Sequence, residues 1–361
     1  MDLRLSEEEK LIRDTAAQFV ARELLAREGA YLKQQGAFLP PGDPPRRDLD
    51  AATRRGLVKQ AQQVGLWALE PPEFVGGSNM GALARVLIHR EFGRTILPFE
   101  PACVPALMAN DNHLADLVSD KLSLTLAFDQ VHRTGTLSEI AIRFRPEPDG
   151  FAISMASIDV LNPAADLFLL PAREQGTNRV GLFLLDRETP GLAFSEAADL
   201  TTDATIGRIT LNGCMVKGDA LLGYEYEAGE IIASEQLRMA ARALGMGMRC
   251  LAASIEHARN RITFGRPLSQ RQAIQWMLAD LSIDLRSCTW LVIEAAWRAD
   301  RKMPYFDAAA LAKKRAARMA FEAADAAIQI HGGYGVCKEF PFEGFYREAR
   351  MMRLLYGREG E

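Results

Sequence analysis

Residues 261–273 read RITFGRPLSQRQA, and the chain on either side of them is helical. Upstream, Leu244, Met248, Leu251, Ala252 and Ile255 fall on one helical face, which Gly265-Arg266-Pro267 brings to an end. Downstream, Ala316, Ala320, Ala323, Ala327 and Ile330 recur at 4-3-4-3 spacing up to Gly332-Gly333. Small residues in such a seam let helices approach closely, in a bundle or between subunits. The stretch is therefore a break between long helices, followed by a second break at residues 329–335, QIHGGYG.

Towards the N-terminus the texture changes. Short apolar runs at Leu122–Phe128, Ile140–Phe144, Phe151–Ile153, Leu167–Leu170, Val180–Leu185 and Ile206–Leu211 are separated by Gly, Pro, Asn and Asp. That rhythm predicts an antiparallel β-domain. Before it come helical patterns at Asp48–Val64 and Ala82–Phe92, a Pro- and Gly-rich loop at Gln34–Arg47, and a Gly-rich break at Pro71–Gly81. The first helix opens on a capping box, Ser6 with Glu9, behind which Leu11, Ile12, Thr15, Ala16, Phe19 and Val20 share a face. The order is α, β, α. It divides into a helical domain over 1–120, a β-domain over 121–225 and a helical bundle over 226–361, an α+β fold.

Composition sets the class. The 361 residues are 48% hydrophobic and 25% charged with a net charge of −4, so no nucleic-acid surface is expected. No apolar run reaches the ~18 residues of a membrane span. The five cysteines, Cys103, Cys214, Cys250, Cys288 and Cys337, lack CxxC spacing, and the five histidines are scattered. A reducing, cytoplasmic setting without a metal is the expectation. The run Lys313-Lys314-Arg315 reads as a solvated helix face. The glycines at 332 and 333 suit a helix stop, and His331 reads as a packed side chain.

Taken in order, "RITFGRPLSQRQA" and "QIHGGYGVCKEFPFEGFYREAR" after an α–β layout resemble the acyl-CoA dehydrogenase family. Weaker echoes are "GLWALEPPEFVGG", "EFGRT" and "LDRETPGL". The resemblance implies an N-terminal helical domain, a middle antiparallel β-domain and a C-terminal four-helix bundle enclosing FAD. It implies an acyl-CoA substrate, electron-transfer flavoprotein as the electron acceptor, and a homotetramer or a heterotetramer with a second acyl-CoA dehydrogenase. It also implies that Arg261, Thr263, Phe264 and Gln272, with Gln329, Gly332 and Gly333, hold the ADP half of a neighbour's FAD. Arginine pairs bidentately with pyrophosphate, and bare glycine backbone admits a phosphate to its N–H groups.

The family's base is a glutamate before a glycine, ten residues after the tyrosine of the "YRDAR" motif. Counted from Tyr346, that position is Tyr356, followed by Gly357. A phenol of pKa about 10 is a poor base at neutral pH. Some branches carry the glutamate on an earlier helix, and aligning Gly245 and Thr263 puts Glu235 there. A slipped register would instead use Glu359 before Gly360. The family stretches that embrace the flavin ring are replaced by Ala127–His132 and Ser157–Asn162. Two functions remain open: an active acyl-CoA dehydrogenase with Glu235 as base, or a catalytically silent subunit of a steroid side-chain type hetero-oligomer, completing a partner's FAD site.

Overall fold

The computed structural model describes residues 5–36, 49–110, 112–128, 137, 140–177, 179–195, 198–199 and 205–357. Their contacts divide the chain into two units. One is helical and discontinuous, drawn from residues 1–66, 81–101 and 236–353. The other is built on a sheet and drawn from 67–80, 102–235 and 354–361.

In the helical unit, α1 (Glu7–Phe19) starts on the expected capping box: Glu9 N donates to Ser6 Oγ, and Ser6 N donates to the Glu9 carboxylate. A π-helical turn, Val20–Leu25, leads into α2 (Ala26–Gly36). Helix α3 (Ala51–Gln63) is capped by Asp50, and α4 spans Ala82–Phe92. Gly81 offers α4 no capping side chain. Asp300 does so instead, accepting from Ala82 N at 2.5 Å and Leu83 N at 3.0 Å, which satisfies donors a helix start leaves orphaned.

The C-terminal helices are α6 (Glu225–Asn260), α7 (Gln272–Asp300), α8 (Phe306–His331) and α9 (Phe342–Met352); a short α5 (Leu114–Val118) belongs to the other unit. The small-residue seam of α8 is buried within the chain, from Ala316 through Ile330. Glycine is what lets α6 meet the end of α4. A Cβ at Gly245 would lie 2.1 Å from Arg90 O, and one at Gly93 would lie 2.2 Å from Arg242 O.

The expectation for Lys313-Lys314-Arg315 needs correction. Lys313 is only 2% exposed, and Arg315 donates to Asp284 of α7 at 2.6 Å. Lys313 stands three, four and seven residues before Ala316, Ala317 and Ala320, so helical geometry turns it to the buried face.

The sheet holds nine strands among the described residues, in the order β6-β8-β3-β2-β4-β5-β9, with β1 on β4 and β7 on β8. They are β1 (Leu124–Leu126), β2 (Arg143–Glu147), β3 (Gly150–Leu161), β4 (Leu167–Glu174), β5 (Val180–Asp186), β6 (Leu192–Phe194), β7 (Ala198–Asp199), β8 (Thr205–Lys217) and β9 (Leu221–Tyr224). Most pairs are antiparallel, as expected, but β1 and β2 each run parallel to β4, so the sheet is mixed. Strand β4 is buried along six successive residues and β5 likewise, the continuous apolar habit of a central strand. Phe144, Phe151 and Phe183 meet edge to face with centroids 4.9–5.7 Å apart, anchoring this core.

Candidate active site and cofactor pocket

Glu235 lies in the third turn of α6, past the reach of a helix-start charge, and is 4% exposed. The Cys103 thiol donates to its Oε1 at 3.1 Å. The hydroxyl of the preceding Ser234 donates to Glu70 Oε1 at 3.0 Å. Glu70 belongs to the "GLWALEPPEFVGG" segment, onto which the residues just after it fold back through Ser78 N to Ala68 O (2.9 Å) and Met80 N to Leu69 O (2.8 Å). The other Glu70 oxygen accepts from Ala106 N at 3.3 Å. A buried carboxylate is costly unless it is hydrogen-bonded, and the Cys103 thiol supplies Glu235 with such a bond.

Tyr356 is buried, with φ of 49°, and Gly357 follows at 107°. A positive φ at a bulky residue is costly and is kept where its surroundings demand it. Glu359 and Gly360 lie outside the described residues, as do residues 129–132 of the altered β-domain stretch.

In the helical unit, a cavity of about 470 Å³ is lined by Arg261, Thr263, Gly332 and Gly333, four of the seven residues expected to serve FAD. A short hairpin delivers the first two. Strands Ile262–Thr263 and Arg266–Pro267 pair antiparallel across a two-residue loop. Both loop residues, Phe264 and Gly265, have positive φ (49° and 77°), as tight primed hairpins require. Arg271 Nη2 donates to Thr263 O at 2.7 Å and steadies the loop. The end of α8 delivers the glycines, and space stands open around both where a Cβ would be. A guanidinium, a hydroxyl and approachable backbone make a donor set that fits an anionic diphosphate.

Phe264, Gln272 and Gln329 stay outside the cavity lining, on exposed surface. Phe264 is 98% exposed while holding a left-handed backbone. Strain and exposure together mean it is not there for the stability of this chain. Phe264→Asn is expected to raise the unfolding free energy by about 1 kcal/mol, because Asn tolerates this conformation. Urea denaturation checks it. Along α7, Trp276, Ile283 and Trp290 are likewise exposed, at seven-residue intervals and hence on one stripe.

Sequence reading overlooked His257. It lies one helical turn before Arg261, and its ring sits 4.3 Å from that of His331 on the cavity wall. His331 Nδ1 lies 2.7 Å from Ala327 O, which makes that nitrogen the protonated one. Burial lowers the pKa of both rings; Ala327 O partly offsets this at His331, whereas His331 and Arg261 add to it at His257. Cys103 and Glu70 were also missed.

A third cluster braces α6. Glu100 lies 2.6 Å from both Arg238 Nη1 and Arg242 Nη1, and Arg242 pairs through Nε and Nη2 with Glu348 of α9.

The comparisons with known proteins agree with this architecture. The models of the acyl-CoA dehydrogenase N-terminal and C-terminal domains match residues 6–116 and 225–360. The chain therefore belongs to the acyl-CoA dehydrogenase family, a family of oxidoreductases, and its cofactor is FAD. It is 27% identical to benzylmalonyl-CoA dehydrogenase of Aromatoleum aromaticum over 97% of this chain and 94% of the relative. Its fold is that of butyryl-CoA dehydrogenase from Megasphaera elsdenii, with a TM-score of 0.81 at 21% identity, covering 99% and 96% of the two chains. The ChsE4-ChsE5 complex from Mycobacterium tuberculosis contains a chain of the same fold, with a TM-score of 0.81 at 24% identity and coverage of 99% and 95%. No described helix is long and apolar enough to cross a membrane.

Proposed function

We propose that this chain is an FAD-dependent acyl-CoA dehydrogenase that desaturates an acyl thioester between Cα and Cβ, with Glu235 as the base. The observation that carries this reading is the buried, hydrogen-bonded carboxylate of Glu235, at the helical position the family resemblance implies. An ionised carboxylate takes the α-proton of a thioester directly. When bound, FAD supplies the acceptor for the β-hydride. Arg261, Thr263, Gly332 and Gly333 hold the diphosphate of a neighbouring subunit's FAD, and Phe264, Gln272 and Gln329 complete the set from the exposed surface around the cavity. The exposed stripe on α7 and the bare Phe264 ring support a partner subunit here, since apolar surface of this extent marks interfaces. Electron-transfer flavoprotein then takes the electrons.

Two observations favour a second reading. A buried tyrosine, Tyr356, occupies the place of the usual base, and the fold recurs in a complex of two different chains. In this reading the chain is a silent subunit that completes a second dehydrogenase's FAD site. Flavin content separates the two. The chain expressed alone is expected to purify with about one FAD per protomer, and butyryl-, octanoyl- or palmitoyl-CoA is expected to bleach that flavin anaerobically. Folded protein without flavin would favour the silent subunit.

A further inference from the structure

The thiol of Cys103 sits against the proposed base, yet proton abstraction by a carboxylate does not require one. The contact is not an accident of local sequence, because 132 positions separate the two residues. Ala102 N donates to Trp67 O at 2.9 Å, which fixes the chain just before Cys103. Ala106 N donates to Glu70, which also accepts from Ser234, the residue before Glu235. Both partners are thus tied to the segment that carries Trp67 and Glu70, so thiol and carboxylate are presented to each other by backbone anchored on each side.

The chemistry of the pair is specific. An ionised carboxylate only accepts, so the proton of this bond belongs to sulfur. Cysteine is a weak, neutral donor, whereas a cation at the same distance would strongly depress the basicity a general base needs. A thiol can orient a carboxylate without placing a positive charge beside it. With Glu235 largely withdrawn from water, a charge-assisted bond of this kind is stronger than it would be at the surface.

We propose that Cys103 is a positioning residue: its S–H holds the Glu235 carboxylate in the orientation that receives the substrate's α-proton. This rests on Glu235 being the base. In the FAD-loaded enzyme, Cys103→Ala is expected to slow flavin reduction about tenfold at saturating acyl-CoA, with KM within twofold, as loss of orientation does. Cys103→Ser, which keeps a donor, is expected to restore the rate to within about twofold. The probe is whichever of butyryl-, octanoyl- and palmitoyl-CoA reduces the flavin fastest. A second readout needs no turnover. Alkylation of Cys103 by iodoacetamide, followed by peptide mass spectrometry, is expected to run about tenfold faster in Glu235→Gln, where no negative charge opposes the forming thiolate.

Wild-type rates in Cys103→Ala, equal alkylation in both proteins, or a Cys103→Ser enzyme as slow as Cys103→Ala would each overturn the proposal. The two readings fail separately. Flavin reduction at the wild-type rate in Glu235→Gln removes the base assignment and this proposal with it. An inert Glu235→Gln beside an unimpaired Cys103→Ala removes the positioning role alone.

Discussion

Glu235→Gln is expected to lower the rate of flavin reduction by acyl-CoA by about 10³-fold, within the span that loss of a positioned general base produces. Glutamine keeps the volume and can still meet the Cys103 thiol through its amide oxygen, so the pocket is preserved while the proton acceptor is lost. FAD content is expected to stay at the wild-type level, because Glu235 is not among the residues assigned to the cofactor. Anaerobic rapid mixing, followed at the flavin absorbance, measures both quantities in one preparation. A variant that keeps its flavin and its full reduction rate would exclude Glu235 as the base and return attention to the chain beyond Gly357.

The second large effect concerns stability. Arg242 is buried between Glu100 and Glu348, and Arg242→Met takes this cation from both carboxylates, leaving Arg238 beside Glu100. Breaking one side of a buried ion pair typically costs about 3–5 kcal/mol, far more than such a pair contributes over an apolar replacement. Urea denaturation is expected to show that loss, and the triple variant with Glu100→Gln and Glu348→Gln to recover most of it. The pH dependence has a definite sign. Burial opposes the charge on Glu100, but Arg242 and Arg238, with His89 beyond them, outweigh it and hold its pKa at about 2 against an ordinary 4.5. Burial also works against the charge on Arg242, yet Glu100 and Glu348 raise its pKa. A carboxylate depressed in the folded state stabilises fully above its unfolded value. Its contribution is therefore present above about pH 4.5 and lost as the pH falls towards 2.

Local signals were the ones that read cleanly. The Ser6–Glu9 capping box, the limits of α4 and the alanine seam of α8 all follow from chemistry within one or two helical turns. Six of the nine described strands, β1–β5 and β8, were legible in part for the same reason, overlapping apolar runs of the sequence, whereas β6, β7 and β9 were not. The pairing was not legible: β1 and β2 join β4 in parallel through partners tens of residues away, which alternation along one strand does not encode. Lys313 was misread although its signal was present, because three successive cations suggested solvent more loudly than the spacing to Ala316, Ala317 and Ala320 suggested burial. At the candidate site, the family pattern supplied Glu235 and the residues proposed to meet the diphosphate. Glu70 stood inside a stretch that echoes the family but without an assigned role, and Cys103 had no pointer, since each reaches α6 only through the tertiary fold.

The helical unit is stitched from distant pieces: Asp300 caps α4 from 218 positions away, and Arg249 reaches Glu28 across 221. This sets an order of events during synthesis. Residues 67–80 and 102–235, nearly all of the sheet unit, leave the ribosome before any of 236–353 exists. At about 5–20 residues per second, the first helices wait several seconds or more for the partners that cap and clamp them. The nascent N-terminal helices, which pack on one another through Phe19 and Phe92, lack these later partners throughout that interval, while nearly all of the sheet unit is already synthesised. The helical unit cannot close before residues 236–353 are made, which places the cavity lined by Arg261 and Gly333 among the last features to form.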